Sequence, residues 1–332
     1  MESTLFLAFT EPDGSLSKAA LEALGAAVAL GAPLAVGLIG AEIAPAARQI
    51  AGCGPTRWLG VTGEEFGPSR YVTDAAAAEA IVRAAGATVV IAAANSRTNR
   101  ALPGVAYRLG GAIDTHVTGI GDGPSITRWY YRQRMEAVLS RAARPWVILL
   151  EGGCHAAWSG DAGEAAMETV AVTLPPVRTR VTGVRVPQTG EQTIRPDAAL
   201  LFVAGAGWTK KQADGQTHPR EAEELILGFL RKSQASLGGS KSLVDLSGEG
   251  QAVLSFMTHL NQIGQTGATP RHPKGLSTCC HGEEPHVVGW RFVTERRAVN
   301  LDPNCGWARG KADVLYVADA FEVMRKVNAL LA

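Results

Sequence analysis

Five short polar turns between residues 238 and 313 carry the residue types of this chain best suited to chemistry. They read GGSKSLVD (238–245), IGQTGAT (263–269), CHGEEPH (280–286), AVNLDP (298–303) and KAD (311–313). Glycines such as Gly267 and Gly282 let backbone approach a ligand closely. Ser240, Gln265 and Thr266 offer hydroxyl and amide groups for polar ring edges, and Lys241, His281 and His286 offer positive charge or strong donors. Asn300, Asp302 and Asp313 can accept from hydroxyls or amines. In this order the groups suit a large, anionic, aromatic ligand. GAGW (205–208) adds a turn after an apolar strand, where the backbone of Gly205 and Gly207 can face phosphate. It lacks the G-x-G-x-x-G spacing, and the chain has no Walker A lysine motif, so an ordinary NAD-type or P-loop site is not supported.

Each turn also has a plain structural reading. GGSKSLVD reads equally as a β-turn with a surface lysine, and GQTGAT as a helix-to-strand connection. His281 fits a hydrogen-bonded interior histidine, and either Asp302 or Asp313 fits a turn or cap. Cys279, Cys280, His281 and His286 raise a metal reading, which Cys305 and His272 complete only through the fold. Adjacent cysteines suit one tetrahedral ion poorly and no second CxxC pair is present, so no metal site is expected. Serine or cysteine hydrolase chemistry is disfavoured: there is no G-x-S-x-G elbow and no family signature around any cysteine.

The elements that position these turns follow from composition and pattern. At 332 residues, 46% hydrophobic and 19% charged, the chain is expected to form two well-packed α/β domains. Net charge is +1, from 32 basic and 31 acidic residues, which argues against a dedicated nucleic-acid binder. Five irregularly spaced cysteines favour a reducing compartment, here read as the cytoplasm. The N-terminus lacks a basic n-region and reads as a first strand. No apolar run reaches the ~18 residues of a membrane helix, so no membrane insertion is expected.

Apolar runs at 4–9, 34–39, 57–61 and 88–93 alternate with helical stretches. Ser17 is placed to cap a helix over 18–30, and Asp74 one ending near 85. This order implies a mainly parallel sheet flanked by helices. The Arg- and aromatic-rich stretch 126–141 reads as a hairpin beside a strand at 146–150, presenting a solvated face or a subunit contact. A polar stretch with Pro and Gly, 188–197, reads as the linker between a domain of residues 1–187 and one of 198–332. The second domain begins with a strand at 198–204 and a helix at 219–233 with proline in its first turn. It ends with a strand at 314–317 and an amphipathic helix over 319–331.

The polar turns resemble those of the alpha subunit of electron transfer flavoproteins. AGAGW, GGSKSLVD, IGQTGAT, CHGEEPH, AVNLDP and GKAD stand where that family has SGGRG, GASRAAVD, VGQTGK, GISGAxQH, AINxDP and QVAD. The closing VADAFEVM and, more loosely, EPDGSLSKAALEALGAA and ALPGVAYRLGGAIDTHVTGI extend the resemblance over nearly the whole chain. It implies an open, doubly wound second domain binding FAD. Ser240 and Lys241 would stand near the flavin, Thr266 beside Gln265 near the flavin N5, and His286 near the pyrimidine edge. Asn300 and Asp302 would form the nucleotide-side turn, with Asp313 near the adenosine. Lys241 replaces an arginine, Gly207 stands at another arginine position, Ala268 at a lysine and His281 at a serine, which implies a divergent branch with a retuned flavin.

The resemblance further implies a beta-subunit partner contacted by the first domain, a flavin dehydrogenase as donor, and a quinone reductase or similar acceptor. The role is electron carriage, not stand-alone catalysis. Three alternatives stand beside it: a flavin- or NAD-dependent oxidoreductase subunit with its own substrate, a nucleotide-binding regulatory subunit without flavin, and a variant in which an iron–sulfur cluster held through Cys279, Cys280 or Cys305 joins the flavin.

Overall fold

The computed structural model describes residues 2–121, 123, 125–130, 135–183, 194–195, 197–245, 253–263, 271–278, 293–303 and 312–331, with backbone alone at Lys241 and Asp245. The chain is α/β and divides into two compact units, residues 1–185 and 186–332.

The first unit is a layered sandwich. Its strands are β1 (Thr4–Phe9), β2 (Leu34–Gly40), β3 (Arg57–Thr62), β4 (Val89–Ala93), β5 (Ala112–Gly121), β6 (Ser125–Tyr130), β7 (Met135–Leu139), β8 (Trp146–Leu150) and β9 (Glu168–Thr169). They form one sheet in the order β7-β6-β5-β8-β4-β1-β2-β3-β9. The strands from β5 through β9 in that order run parallel, and β5, β6 and β7 pair antiparallel. Alternate residues of β1 point to opposite faces. Phe6 and Ala8 join α1 (Lys18–Ala29) and α2 (Ala44–Gln49) in one core, while Leu5, Leu7 and Phe9 join α3 (Tyr71–Ala85) and α4 (Ser96–Arg108) in the other.

Local chemistry explains the helix starts. Ser17 accepts from Ala20 N and begins α1 as its sequence suggests. Asp74 does not begin α3, which starts earlier at Tyr71. Its carboxylate instead reaches back to Arg70 N at 3.0 Å, because Arg97 (2.7 Å) and Arg100 (3.0 Å) hold it inside the first turn. The hairpin expected over 126–141 is the β6–β7 pair. Two arginines of that stretch, Arg128 and Arg141, turn inward to a single buried carboxylate, Asp114.

Residues 151–163 cross α1 so closely that one helix position must be glycine. A Cβ on Gly25 would collide with Ala156 O and meet His155 Nδ1 at 3.1 Å, and the crossing is fixed by Trp158 N donating to Leu21 O at 2.9 Å. Gly25→Ala, normally favourable in a helix, is therefore expected to destabilise the first unit by about 1–3 kcal/mol. A urea titration checks this: the midpoint should fall at constant slope, and an unchanged or higher midpoint refutes the crossing.

The second unit is a five-stranded, all-parallel sheet of β10 (Leu200–Ala204), β11 (Ser236–Gly239), β12 (His272–Thr278), β13 (Val293–Asn300) and β14 (Val314–Val317), ordered β11-β10-β12-β13-β14. Helices α5 (Pro219–Ser233) and α7 (Ala320–Leu330) cover one face through Ile226, Phe229, Phe321 and Met324, and the short α6 (Lys241–Asp245) follows β11. Asp319 caps α7 by accepting from Glu322 N at 3.0 Å. Two strands have no clear sequence signature, β11 and the central β12. The latter carries His272, Pro273 and Lys274, and Pro273 is accommodated because pairing to β10 begins only at Lys274.

Candidate functional site

In an open parallel sheet the chain reverses its direction of build-out at one point, and the carboxyl ends of the strands on either side leave a crevice there. In the second unit that point lies between β10 and β12, since β11 is added on one side of β10 and β12 to β14 on the other. Gly205, Gly207, Ser240, Lys241, Asn300 and Asp302 all follow or end strands at this edge. The fold thus gathers residues that lie far apart in sequence.

The turn after β10 is clamped to β12. Gly205 N donates to Thr278 O at 2.9 Å, and the fully buried Trp208 donates Nε1–H to Thr278 Oγ1 at 2.8 Å. Trp208 also packs on Phe321, with ring centroids 4.6 Å apart. Within the turn, Trp208 N donates to Gly205 O and Lys210 N to Gly207 O, each at 3.3 Å. These N–H groups therefore serve the fold. Ser240 is likewise engaged: its N donates to Ala204 O at 2.9 Å and its Oγ accepts from Leu243 N at 3.2 Å at the start of α6. The glycines before it seat the 253–263 segment. A Cβ on Gly238 would lie 2.5 Å from Ile263 Cγ2, and one on Gly239 would collide with Met257 Cε.

Beside this turn, Gly207, Gln212, Asn300, Leu301, Ala318 and Asp319 line a narrow crevice. Asn300 is 2% exposed and its Nδ2 has no hydrogen-bond partner among the described residues. Its Oδ1 accepts from Asp302 N at a long 3.4 Å. A buried donor left unpaired costs about 1–3 kcal/mol, so such a group in a native fold calls for a partner. A ligand acceptor in the crevice would satisfy it. Asp319 and Gln212 were not singled out from sequence. Asp319 follows the last strand at the carboxyl end of the sheet, a position visible in the sequence, but its capping role accounts for it equally well.

Asp313 stands apart from this group. It precedes β14, at the amino end of the strand, and clips β13: Oδ2 accepts from Arg296 N at 2.6 Å and Oδ1 from Arg296 Nη2 at 3.2 Å. The Arg296 N–H, then its guanidinium, hold the carboxyl below its ordinary range. Gln265, Thr266, Gly267, His281, Gly282 and His286 lie outside the described residues, as do Cys279, Cys280 and Cys305. Among the described residues no three His, Cys, Asp or Glu side chains group to hold a metal ion, and no helix is long and apolar enough to cross a membrane.

The first unit has its own reversal point, between β1 and β4. Protein fills it. The Arg97 guanidinium lies 4.3 Å over the Phe9 ring, donates to Phe66 O (2.6 Å) and Gly67 O (3.1 Å), and pairs with the fully buried Asp74. Farther along the sheet, His116 adopts φ 56° at an irregularity in β5, and its Nδ1 lies 2.7 Å from Glu151 Oε1. That carboxylate raises the histidine's pKa.

The family model of the electron transfer flavoprotein domain matches residues 4–177, just over half of the chain and nearly all of the first unit. No curated protein matches the chain. The matched region contains the whole nine-stranded sheet, from β1 to β9. On that match, the chain belongs to the electron transfer flavoprotein domain family, whose members are flavoproteins.

Proposed function

We propose that this chain is the alpha-type, FAD-binding subunit of an electron transfer flavoprotein. It accepts electrons from a flavin dehydrogenase and passes them to a quinone reductase or similar acceptor, paired with a beta-type subunit through its first unit, in the cytoplasm. The family match supports the class of role. The observation that carries the ligand reading is the buried Nδ2 of Asn300, which has no hydrogen-bond partner among the described residues, in a residue that lines a crevice at the carboxyl edge of the second sheet. An amide donor beside carboxylate acceptors is a donor set that fits the hydroxyls and ring nitrogens of a nucleotide.

Asn300, with Asp302 and Asp319, would hold the nucleotide portion. Lys241, Gln265, Thr266 and His286 would address the flavin ring, with Ser240, Gly267, His281 and Gly282 shaping the surrounding turns. When bound, the flavin would supply chemistry that links two-electron and one-electron partners. The chain's own task is to hold the ring, shield it from water and oxygen, and place cations and donors at its polar edge, which favours negative charge there.

Co-expression with a beta-type chain, followed by a visible spectrum during dithionite titration, tests this reading. Stoichiometric FAD bands that bleach on reduction are expected. A folded, colourless complex that takes up no added FAD would overturn it.

A further inference from the structure

The first unit carries a groove of about 530 Å³ that electron carriage by a flavin in the second unit leaves unused. Its floor is one stripe of α3. The inner side of that helix packs into the core through Ala75, Ala77, Ala78, Ile81 and Val82, which leaves Val72, Ala76 and Ala80, four residues apart, along the outer side. Side chains this small leave space above the helix. Protein on both sides bounds that space. On one side a Cβ on Gly104 of α4 would collide with Tyr71 Oη, so this glycine lets the tyrosine lie against α4. On the other, Val170 N donates to Gly60 O at 2.8 Å, and Val172 and Leu174 pack against the core. The alternate residues Thr173 and Pro175 then form an outer wall.

The polar part of the groove is a pair of guanidiniums on one carboxylate. Arg83 donates Nε and Nη2 to Glu79 Oε1 at 3.1 and 2.8 Å, and Arg108 of α4 donates Nη1 to Glu79 Oε2 at 3.3 Å. Arg108 Nη2 also donates to Tyr71 Oη at 3.1 Å, with its guanidinium carbon 5.7 Å from the ring centroid. Arg83 first, then Arg108, hold the Glu79 carboxyl below its ordinary range, so it is ionised at neutral pH and the three groups carry one net positive charge. An i,i+4 Glu–Arg pair is by itself an ordinary helix-surface feature. Here a second helix brings another guanidinium to the same carboxylate, and all three charged side chains line the groove. Each guanidinium also keeps N–H groups that meet no acceptor among the described residues.

Small-molecule sites have this size and make-up, a mostly apolar lining with a few placed polar groups. A single excess positive charge matches a monoanion, and planar guanidinium forks match a carboxylate. A flat ring suits a floor of alanines flanked by Tyr71 and Pro175. We propose that the groove between α3, the end of α4 and residues 173–175 binds a small aromatic carboxylate. The carboxylate meets Arg83 and Arg108, and the ring lies over Ala76 and Ala80. The site lies within the first unit and does not depend on the flavin reading.

Backbone-amide spectra of the deuterated full chain, recorded during titration with naphthoate, test the site. Saturable shifts are expected at residues 72–83, 104–108 and 171–174, with a dissociation constant on the order of 1 mM or below. Naphthylmethanol keeps the ring without the charge, and inorganic phosphate keeps charge without the ring. Each should bind about tenfold or more weakly. R83Q/R108Q should weaken naphthoate by about tenfold or more with little change in the melting curve, because these ion pairs are exposed. A76L/A80L fills the floor, leaves the charges in place and should weaken it as much. Shifts that are absent, that fall elsewhere in the chain, or that survive in both variants would overturn the site. Phosphate binding as tightly as naphthoate would overturn the carboxylate assignment.

Discussion

Asp114→Ala is expected to cost the first unit about 3 kcal/mol. Asp114 is 1% exposed and serves three donors from three strands or strand ends. Arg141 reaches both carboxylate oxygens at 2.8 Å, Arg128 reaches Oδ1 at 3.2 Å, and Trp146 donates Nε1–H to Oδ2 at 3.0 Å. Burial alone would raise the carboxyl's pKa, but the combined donors outweigh it and hold the pKa below the ordinary value. Removing the acid strands the Trp146 N–H, which is wholly buried, and leaves Arg128 facing a void. Arg141 is 41% exposed and can return to water, which places the loss at the lower end of the range for a broken buried pair.

Because the folded pKa is depressed, the stabilisation is complete above the unfolded value of about 3.9 and is lost as pH falls through the folded value. Asp114→Asn should therefore flatten the acid limb of stability against pH. Hydrogen exchange of β5 and β8 peptides in urea measures both effects. A loss under about 1 kcal/mol for the alanine variant would mean that the three donors find water without difficulty.

Asp114 also shows where sequence reasoning stops. Nothing in the string GAIDTHVTG marks its aspartate as the centre of a hub, because the donors arrive from β6, from the segment after β7 and from β8. Where local chemistry decides, the sequence was readable. The apolar run of β1, the Ser17 cap of α1, the proline-led α5 and the last strand and helix all stand where their residues place them. Helix α4 has no readable signature, since Pro103 and Gly104 interrupt it; a capping box at Asn95 and Thr98 and the burial of Leu102, Val105 and Ala106 hold it together instead. Strand β12 is hidden for a related reason. It is central, so its neighbours supply the ladder, and buried His272 finds its acceptor in Arg195 O at 2.9 Å.

The candidate site divides in the same way. That polar turns after strands gather at one edge of a parallel sheet is legible, because alternating strands and helices imply it. Which of those groups already have partners is not. Ser240, Gly205 and the glycines of β11 are engaged by the fold, whereas the Asn300 amide N–H is buried with no partner among the described residues, and only the three-dimensional packing separates these cases. Asp313 illustrates the geometric point. A residue just before a parallel strand lies at the opposite end of the sheet from one just after its neighbour, so sequence proximity to the nucleotide-side turn does not bring it there.

Asn300→Leu should move stability and ligand affinity in opposite directions. Among the described residues the Asn300 amide N–H is buried with no partner, and its oxygen accepts only the long contact from Asp302 N. A leucine of similar size removes that penalty, so the ligand-free protein should be unchanged or more stable by about 1 kcal/mol. With ligand, the same change leaves a nucleotide acceptor unpaired in a desolvated crevice, and FAD affinity should fall about tenfold or more. Asn300→Asp separates shape from polarity: it keeps the size but replaces the donor with a carboxylate beside Asp302 and Asp319, and should lose at least as much affinity. Thermal melts with and without FAD, together with a binding titration, read both signs. If Asn300→Leu lowers ligand-free stability and leaves FAD affinity intact, the amide is a structural group and the crevice is not the nucleotide site. If stability holds and affinity falls, the unpaired N–H is the sequence-distant, fold-made feature that the ligand completes.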